Sequence, residues 1–218
     1  MIKPTLKILY VSTLCSSSVM EYIFTTSVVK PGQAGQKFHR LLVEGFAMHK
    51  ESCSIETLST IPVTPASHKR RIWRLPSEVV GNIIKYNYTP MINLPLVKNL
   101  LVFIYAFFKV VLWSLRGGRK DRVVVCDVLI LSITSAALLA CKLTRTRSVA
   151  ILTDLPNLMI ASSRQKRTLN HKLYNALTSK IMSNYNGYIL LTEQMNEVVN
   201  SHSSLTQKLF DSIPRVHG

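Results

Sequence analysis

The chain has 218 residues, 47% of them hydrophobic and 17% charged, which excludes a disordered polymer and suits one α/β domain with a substantial core or two small ones. Lys and Arg number 27 against 11 Asp and Glu, a formal charge of +16, so the expected partner is anionic: phosphates, a nucleic acid or an acidic membrane face. Cys15, Cys53, Cys126 and Cys141 form no Cys-x-x-Cys pair and three of them sit in apolar runs, which argues for reduced core thiols in a cytosolic compartment and against a disulfide scaffold or zinc site.

Lys3 and Lys7 precede Ile8-Leu9-Tyr10-Val11, but no cleavage pattern of small residues follows, so the segment reads as a first core strand rather than a secretory leader. That strand, Leu6 to Val11, ends in Ser12-Thr13. A long loop is expected through Val28 to Gly35, and then a helix from about Gln36 to His49 with Phe38, Leu41, Leu42 and Phe46 at helical spacing. Ser54 to Leu58 reads as a second strand, broken by Ile61-Pro62-Val63-Thr64-Pro65, and Val79 to Tyr88 as a third.

Leu96 to Leu115 is nearly continuous in apolar side chains and is read as a helix. Lys98, Tyr105, Lys109 and Arg116 are spaced 7, 4 and 7 apart, which places them on one narrow stripe of that helix. Three readings stay open. A membrane span has the required length of about 20 residues. Lys109 well inside it would cost roughly 3 kcal/mol on insertion. A core helix would turn the basic stripe to solvent. An interfacial helix would put Phe103, Phe107, Phe108 and Trp113 into lipid, with the lysines reaching back to headgroups, so Phe103, Phe107, Lys109 and Trp113 are the expected membrane contacts. His68-Lys69-Arg70-Arg71 with Arg74, and the seven bases from Lys142 to Lys172 against the acid Asp154, favour an anionic surface.

Strand and helix then alternate. Arg122 to Asp127 is a strand, Ile133 to Leu143 a helix, Ser148 to Asp154 a strand, Arg164 to Asn184 a helix and Gly187 to Leu191 a last strand. Thr192 is expected to cap a short helix from Glu193. The alternation predicts an α/β fold: a parallel, Rossmann-like sheet of about six strands with helices on both faces. Residues 201–218 read as a polar tail.

No Gly-x-Gly-x-x-Gly, Walker loop, His-Glu-x-x-His or Gly-x-Ser-x-Gly occurs, and no metal is expected. The chemistry is therefore read from position. Ligands of parallel α/β sheets sit at the C-terminal ends of strands, and Ser12-Thr13, Asp127, Thr153-Asp154 and Thr192-Glu193 each follow an apolar run directly. A carboxylate on that rim can orient a sugar hydroxyl or accept its proton; each of these residues can equally cap the helix that follows. The Pro31-Gly32-Gln33-Ala34-Gly35-Gln36 loop opens a helix N-terminus, where backbone N–H groups can meet a phosphate or a sugar, or is a plain connector.

The order of these segments is similar to the N-terminal half of GT-B glycosyltransferases. The residues that carry the resemblance are Lys7 to Val11, Gln36 to Gly45, Val125-Cys126-Asp127, Ile151 to Pro156 and Leu190 to Met195, spanning roughly residues 5–200. It resembles in particular the bacterial family 4 enzymes that build surface polysaccharides. The resemblance implies an acceptor-binding domain over 1–200 and transfer of a sugar from a nucleotide-sugar, with no protein-bound metal or other cofactor. It implies a lipid-linked saccharide acceptor and a site peripheral on the cytoplasmic face of the cell membrane. Asp127 and Asp154 become the expected catalytic residues, and Gly32, Gln33, Gln36, Thr192 and Glu193 the expected acceptor contacts. Such enzymes hold the donor with a glutamate pair eight residues apart in a second domain. The glutamates here are 21, 44, 51, 56, 78, 193 and 197, and no two have that spacing. The expected alternatives are a fragment or truncated product, or one subunit of a two-chain transferase whose donor-binding chain is separate. The competing classes are a non-catalytic subunit that recruits that chain to the membrane and a basic nucleic-acid-binding protein. For the latter, no stacking platform of exposed aromatics among bases is found.

Overall fold

The computed structural model describes residues 6–32, 34–49, 53–81, 83–116, 121–128, 130–153, 178, 180–191 and 195. In chain order the elements are β1 (Leu6–Ser12), α1 (Ser17–Thr26), α2 (Ala34–Ala47), β2 (Cys53–Ser59), β3 (Ile72–Trp73), β4 (Glu78–Val80), β5 (Ile84–Tyr88), β6 (Met91–Ile92), α3 (Pro95–Leu115), β7 (Arg122–Asp127), α4 (Leu131–Thr144), β8 (Arg147–Leu152) and β9 (Gly187–Leu190).

β1 is the centre of the sheet. Ile8 to Val11 are all buried, and a strand apolar on both faces must be covered on both. Its two edges pair in parallel with β2 and β7. The full order is β4-β5-β2-β1-β7-β8-β9, with every neighbouring pair parallel except β4 on β5. Leaving out β4, this is the doubly wound Rossmann-like order, in which the chain runs outward from β1 in one direction and then returns to run outward in the other. Right-handed crossovers then place α2, between β1 and β2, and α4, between β7 and β8, on opposite faces. The side chains agree: Tyr10 reaches α2, whereas Glu56, paired in register with Leu9, reaches α3.

Three expectations change. The stretch expected as a loop after β1 contains α1, whose N-cap Ser16 accepts from the Val19 N–H and which buries Met20 and Ile23. The strand expected over 79–88 is a hairpin, β4 and β5, turned at Gly81 with φ 61°. That left-handed backbone is open to glycine without steric cost. Tyr88 closes the hairpin, donating to Glu78 at 2.5 Å. Two further short strands, β3 and β6, pair antiparallel beside α3. The helix expected over 164–184 and residues 201–218 lie outside the described residues, apart from the last helical turn near Lys180 to Met182.

α3 starts on Pro95, whose missing N–H is harmless in a first turn. It buries Val102, Ala106, Val110 and Trp113 against α4 and the sheet. Its C-terminal end is held by Arg122, which donates to the Trp113 carbonyl and lies 4.8 Å from the Trp113 ring. The Trp113 indole N–H donates to Glu56 Oε1 at 3.2 Å.

Candidate functional site

Parallel strands put all their C-terminal ends on one edge. At that edge the two directions of winding part between β1 and β7, which opens the crevice where ligands of such sheets bind. A cleft of about 380 Å³ lies there. Its walls come from five segments: Thr13 after β1, Lys30 to Gly32 before α2, Thr60 to Thr64 after β2, Lys98 and Asn99 on the first turn of α3, and Ile130 with Ser132 at the start of α4. The fold gathers these groups because each follows a strand end or opens a helix.

The chemistry of the cleft is cationic and hydroxylic. Lys98 is half-buried and donates from Nζ to the Val63 carbonyl at 2.6 Å. Burial pushes its ammonium below the ordinary lysine value of 10.5, because desolvation disfavours charge. Lys30 lines the same cleft and is exposed. Thr13, Thr60, Thr64 and Ser132 add hydroxyls, and α4 turns its N-terminal end toward the space. Two amines, several hydroxyls and a helix N-terminus form an environment for phosphate and sugar oxygens.

Beneath the rim lies a buried chain of polar contacts. Tyr10 Oη is 2.6 Å from His39 Nδ1, and His39 Nε2 is 2.9 Å from Asp127 Oδ2. His39 is 2% and Asp127 3% exposed. Burial, then the Asp127 charge, push the Tyr10 phenol far up, so it stays protonated. His39 escaped the sequence reading. It sits on the buried face of α2 with no motif around it, and only the crossing of α2 over the end of β7 brings it to Asp127.

The expected site residues divide as follows. Gly32 is exposed and lines the cleft. Gln36 is buried and donates from Nε2 to Thr13 Oγ1 at 2.7 Å, so it fixes the rim from below and does not line the cleft. Asp127 stands at the end of β7, as expected, but its carboxylate is turned inward to His39 and is sealed from solvent. Gln33, Asp154, Thr192 and Glu193 lie outside the described residues. One of the four expected membrane contacts is corrected. Trp113 is a core residue, bonded to Glu56, and cannot enter lipid in this fold; Phe103 and Phe107 are half-buried against the core, and Lys109 is exposed, its Nζ 5.5 Å from the Tyr105 ring. Among the described residues no group of three His, Cys, Asp or Glu side chains is arranged to hold a metal ion.

No family model matches this chain, and no curated protein does. Among solved structures it is similar to the crystal structure of Arabidopsis thaliana UGT89C1 complexed with UDP, with a TM-score of 0.43 and 10% identity. The match covers 91% of this chain and 48% of that one, so the chain spans about half the length of the solved structure. The Rossmann-like assignment itself follows from the strand order and the parallel register.

Proposed function

We propose that this chain is the acceptor-binding half of a GT-B glycosyltransferase, and that the rim cleft holds the phosphorylated end of a lipid-linked saccharide. The observation that carries the reading is the cleft at the β1/β7 crevice, where Lys30 and Lys98 face a ring of hydroxyls. The order of segments that resembles bacterial family 4 enzymes supports it independently. In the reaction, the bond from the donor sugar's anomeric carbon to the nucleotide phosphate breaks and the nucleoside diphosphate departs. An acceptor hydroxyl forms the new bond to that carbon and gives up its proton. We assign the lysines to the acceptor's phosphates and Gly32 and Gln33 to the approach of its sugar. Asp154, Thr192 and Glu193 are assigned to the acceptor hydroxyl, with Asp154 as the group that orients or deprotonates it.

The inward carboxylate of Asp127 favours a second reading, in which the chain binds acceptor and recruits a separate donor-binding chain without itself supplying a catalytic group. Both readings place the donor's glutamate pair outside these 218 residues, since no two glutamates here are eight apart. Positioning donor against acceptor supplies much of the rate in group transfer. Purified protein incubated with labelled nucleotide sugars and membrane extract is therefore expected to transfer sugar only after a chain bearing that pair is added. Transfer by the chain alone would contradict the proposal. Transfer with the partner that survives Asp154→Ala would select the second reading.

A further inference from the structure

The face of α3 that looks away from the core is apolar. Leu96, Leu100, Ile104, Phe108, Leu112 and Leu115 follow one another at steps of four or three and form a continuous stripe. They are exposed: Leu96 by 85%, Phe108 by 59%, Ile104 by 44%. A groove of about 540 Å³ runs beside the stripe, between α3 and the β3–β6 pair, and its walls are almost wholly apolar, with Ile72, Met91 and Ile92 opposite Ile104 and Phe108. Other exposed apolar side chains, such as Met48 and Leu143, lie elsewhere on the surface, but this stripe is continuous over five turns and flanks an apolar groove, and contiguous apolar surface of this kind marks an interaction site.

The charges around the stripe identify the occupant. Lys69, Arg70, Arg71 and Arg74 stand exposed at the β3 end of the groove, and Lys109 and Arg116 along one flank of the helix. Residues 68–74 and 94–116 contain no Asp or Glu. A second copy seated face to face would bring these like charges together, which a symmetric interface disfavours. A span is excluded by the opposite face of the helix, because crossing a bilayer would pull Val102, Ala106, Val110 and Trp113 out of the core. An apolar stripe edged with bases, on a helix fixed by its other side, fits a bilayer with acidic headgroups.

We propose that the Leu96–Leu115 stripe of α3, with the basic edge of β3, is a docking surface for an anionic lipid bilayer. The stripe enters the acyl boundary while Arg71, Arg74 and Lys109 reach headgroup phosphates. The first turn of α3 also supplies Lys98 and Asn99 to the rim cleft, so docking brings the mouth of the cleft to the headgroup level. Docking itself needs neither donor nor acceptor, so its failure and a failure of the transferase reading are separable.

The test is sedimentation of the full chain with phosphatidylglycerol–phosphatidylcholine vesicles, and with phosphatidylcholine alone, with no sugar or nucleotide present. Binding is expected to the anionic vesicles and to be weakened by salt. The Leu100→Ser/Ile104→Ser/Phe108→Ser variant is expected to lose at least about tenfold in partitioning, and Arg71→Glu/Arg74→Glu to lose the salt-sensitive part. A gentler variant covers the case in which the triple change fails to fold. Phe108→Trp adds an exposed indole to the buried Trp73 and Trp113, and its emission is expected to shift to the blue on addition of anionic vesicles. Absence of vesicle binding by the wild type, an unshifted Phe108→Trp spectrum, or resistance of the bound protein to both salt and carbonate would each overturn the proposal.

Discussion

Tyr10, His39 and Asp127 are three polar groups held inside an apolar wall, and a polar group so placed is costly to leave alone. Asp127→Ala removes a partner from His39 while leaving the ring buried. It is expected to lower stability by about 1.5–3 kcal/mol, the worth of a buried hydrogen bond to a charged group, read as a shift in the denaturant midpoint. A variant as stable as the wild type would show that the 2.9 Å contact contributes nothing. Lys98 shows the opposite balance. Its burial disfavours the ammonium, so Lys98→Met is expected to stabilise the fold while weakening phosphate binding in the cleft. The sign follows from proton uptake. With its folded pKa below the ordinary 10.5, the folded chain holds fewer protons on this lysine than the unfolded chain does in the alkaline range beneath that value. Stability from this group therefore rises with pH there. The advantage of the methionine variant is accordingly expected to shrink as pH climbs toward 10.5, a trend that denaturation curves at several pH values would read.

At the scale of elements, α3 is one helix with two unlike faces. Trp113 fills the core, stacks with Arg122 and bonds Glu56, so Trp113→Ala is expected to cost about 3–5 kcal/mol. Phe108→Ser, one turn or so away on the open face, is expected to leave the thermal midpoint nearly unchanged and to improve solubility. Equal costs for the two would contradict the orientation of the helix. The same helix shows what a sequence can and cannot reveal. Its existence and bounds were legible, because few soluble helices are so continuously apolar. Which aromatics face the core was not, since apolar side chains on every side leave no periodicity to read, and the partners that fix the face, Glu56 and Arg122, are distant in sequence. β1, β7 and β8 were legible as buried apolar runs, and β9, an edge strand that is only partly covered, as an apolar run after a glycine. α1 was not: its buried pattern, Met20 and Ile23, covers less than two turns and resembles any loop with scattered apolar residues. The β4–β5 hairpin hid inside one apolar stretch, its turn marked only by Gly81 and its neighbour.

For the molecule as a whole, the parallel run of β1, β7, β8 and β9 in one sheet was legible, because apolar runs alternating with helices leave few other arrangements. The inward turn of Asp127 was not, because it depends on His39 arriving from another element. Burial of phenols and thiols also gives the molecule a common response to alkali. Tyr86 is pushed up to about 12 and Cys126 to about 12, and Tyr88, Cys15 and Cys141 are raised further, each mainly by desolvation. Groups raised in the folded state contribute stability that is full below their unfolded values of 9.0 and 10.0 and is lost as pH rises through the folded values. The denaturant midpoint is expected to fall steadily above pH 9, with the largest share of the loss recovered by returning to neutral pH. A midpoint constant up to pH 12 would show that these groups are not buried as described.

On the proposed reading, the cleft between the ends of β1 and β7 binds the phosphorylated end of a saccharide acceptor. Isothermal titration of the full chain with a short-chain isoprenyl diphosphate saccharide, soluble enough to need no membrane, measures that binding. Saturable binding is expected, weakened by about tenfold or more in Lys30→Ala and in Lys98→Met, since charge-assisted contacts to phosphate are roughly twice as strong as neutral ones. No binding by the wild type, or binding that neither lysine variant disturbs, would contradict it.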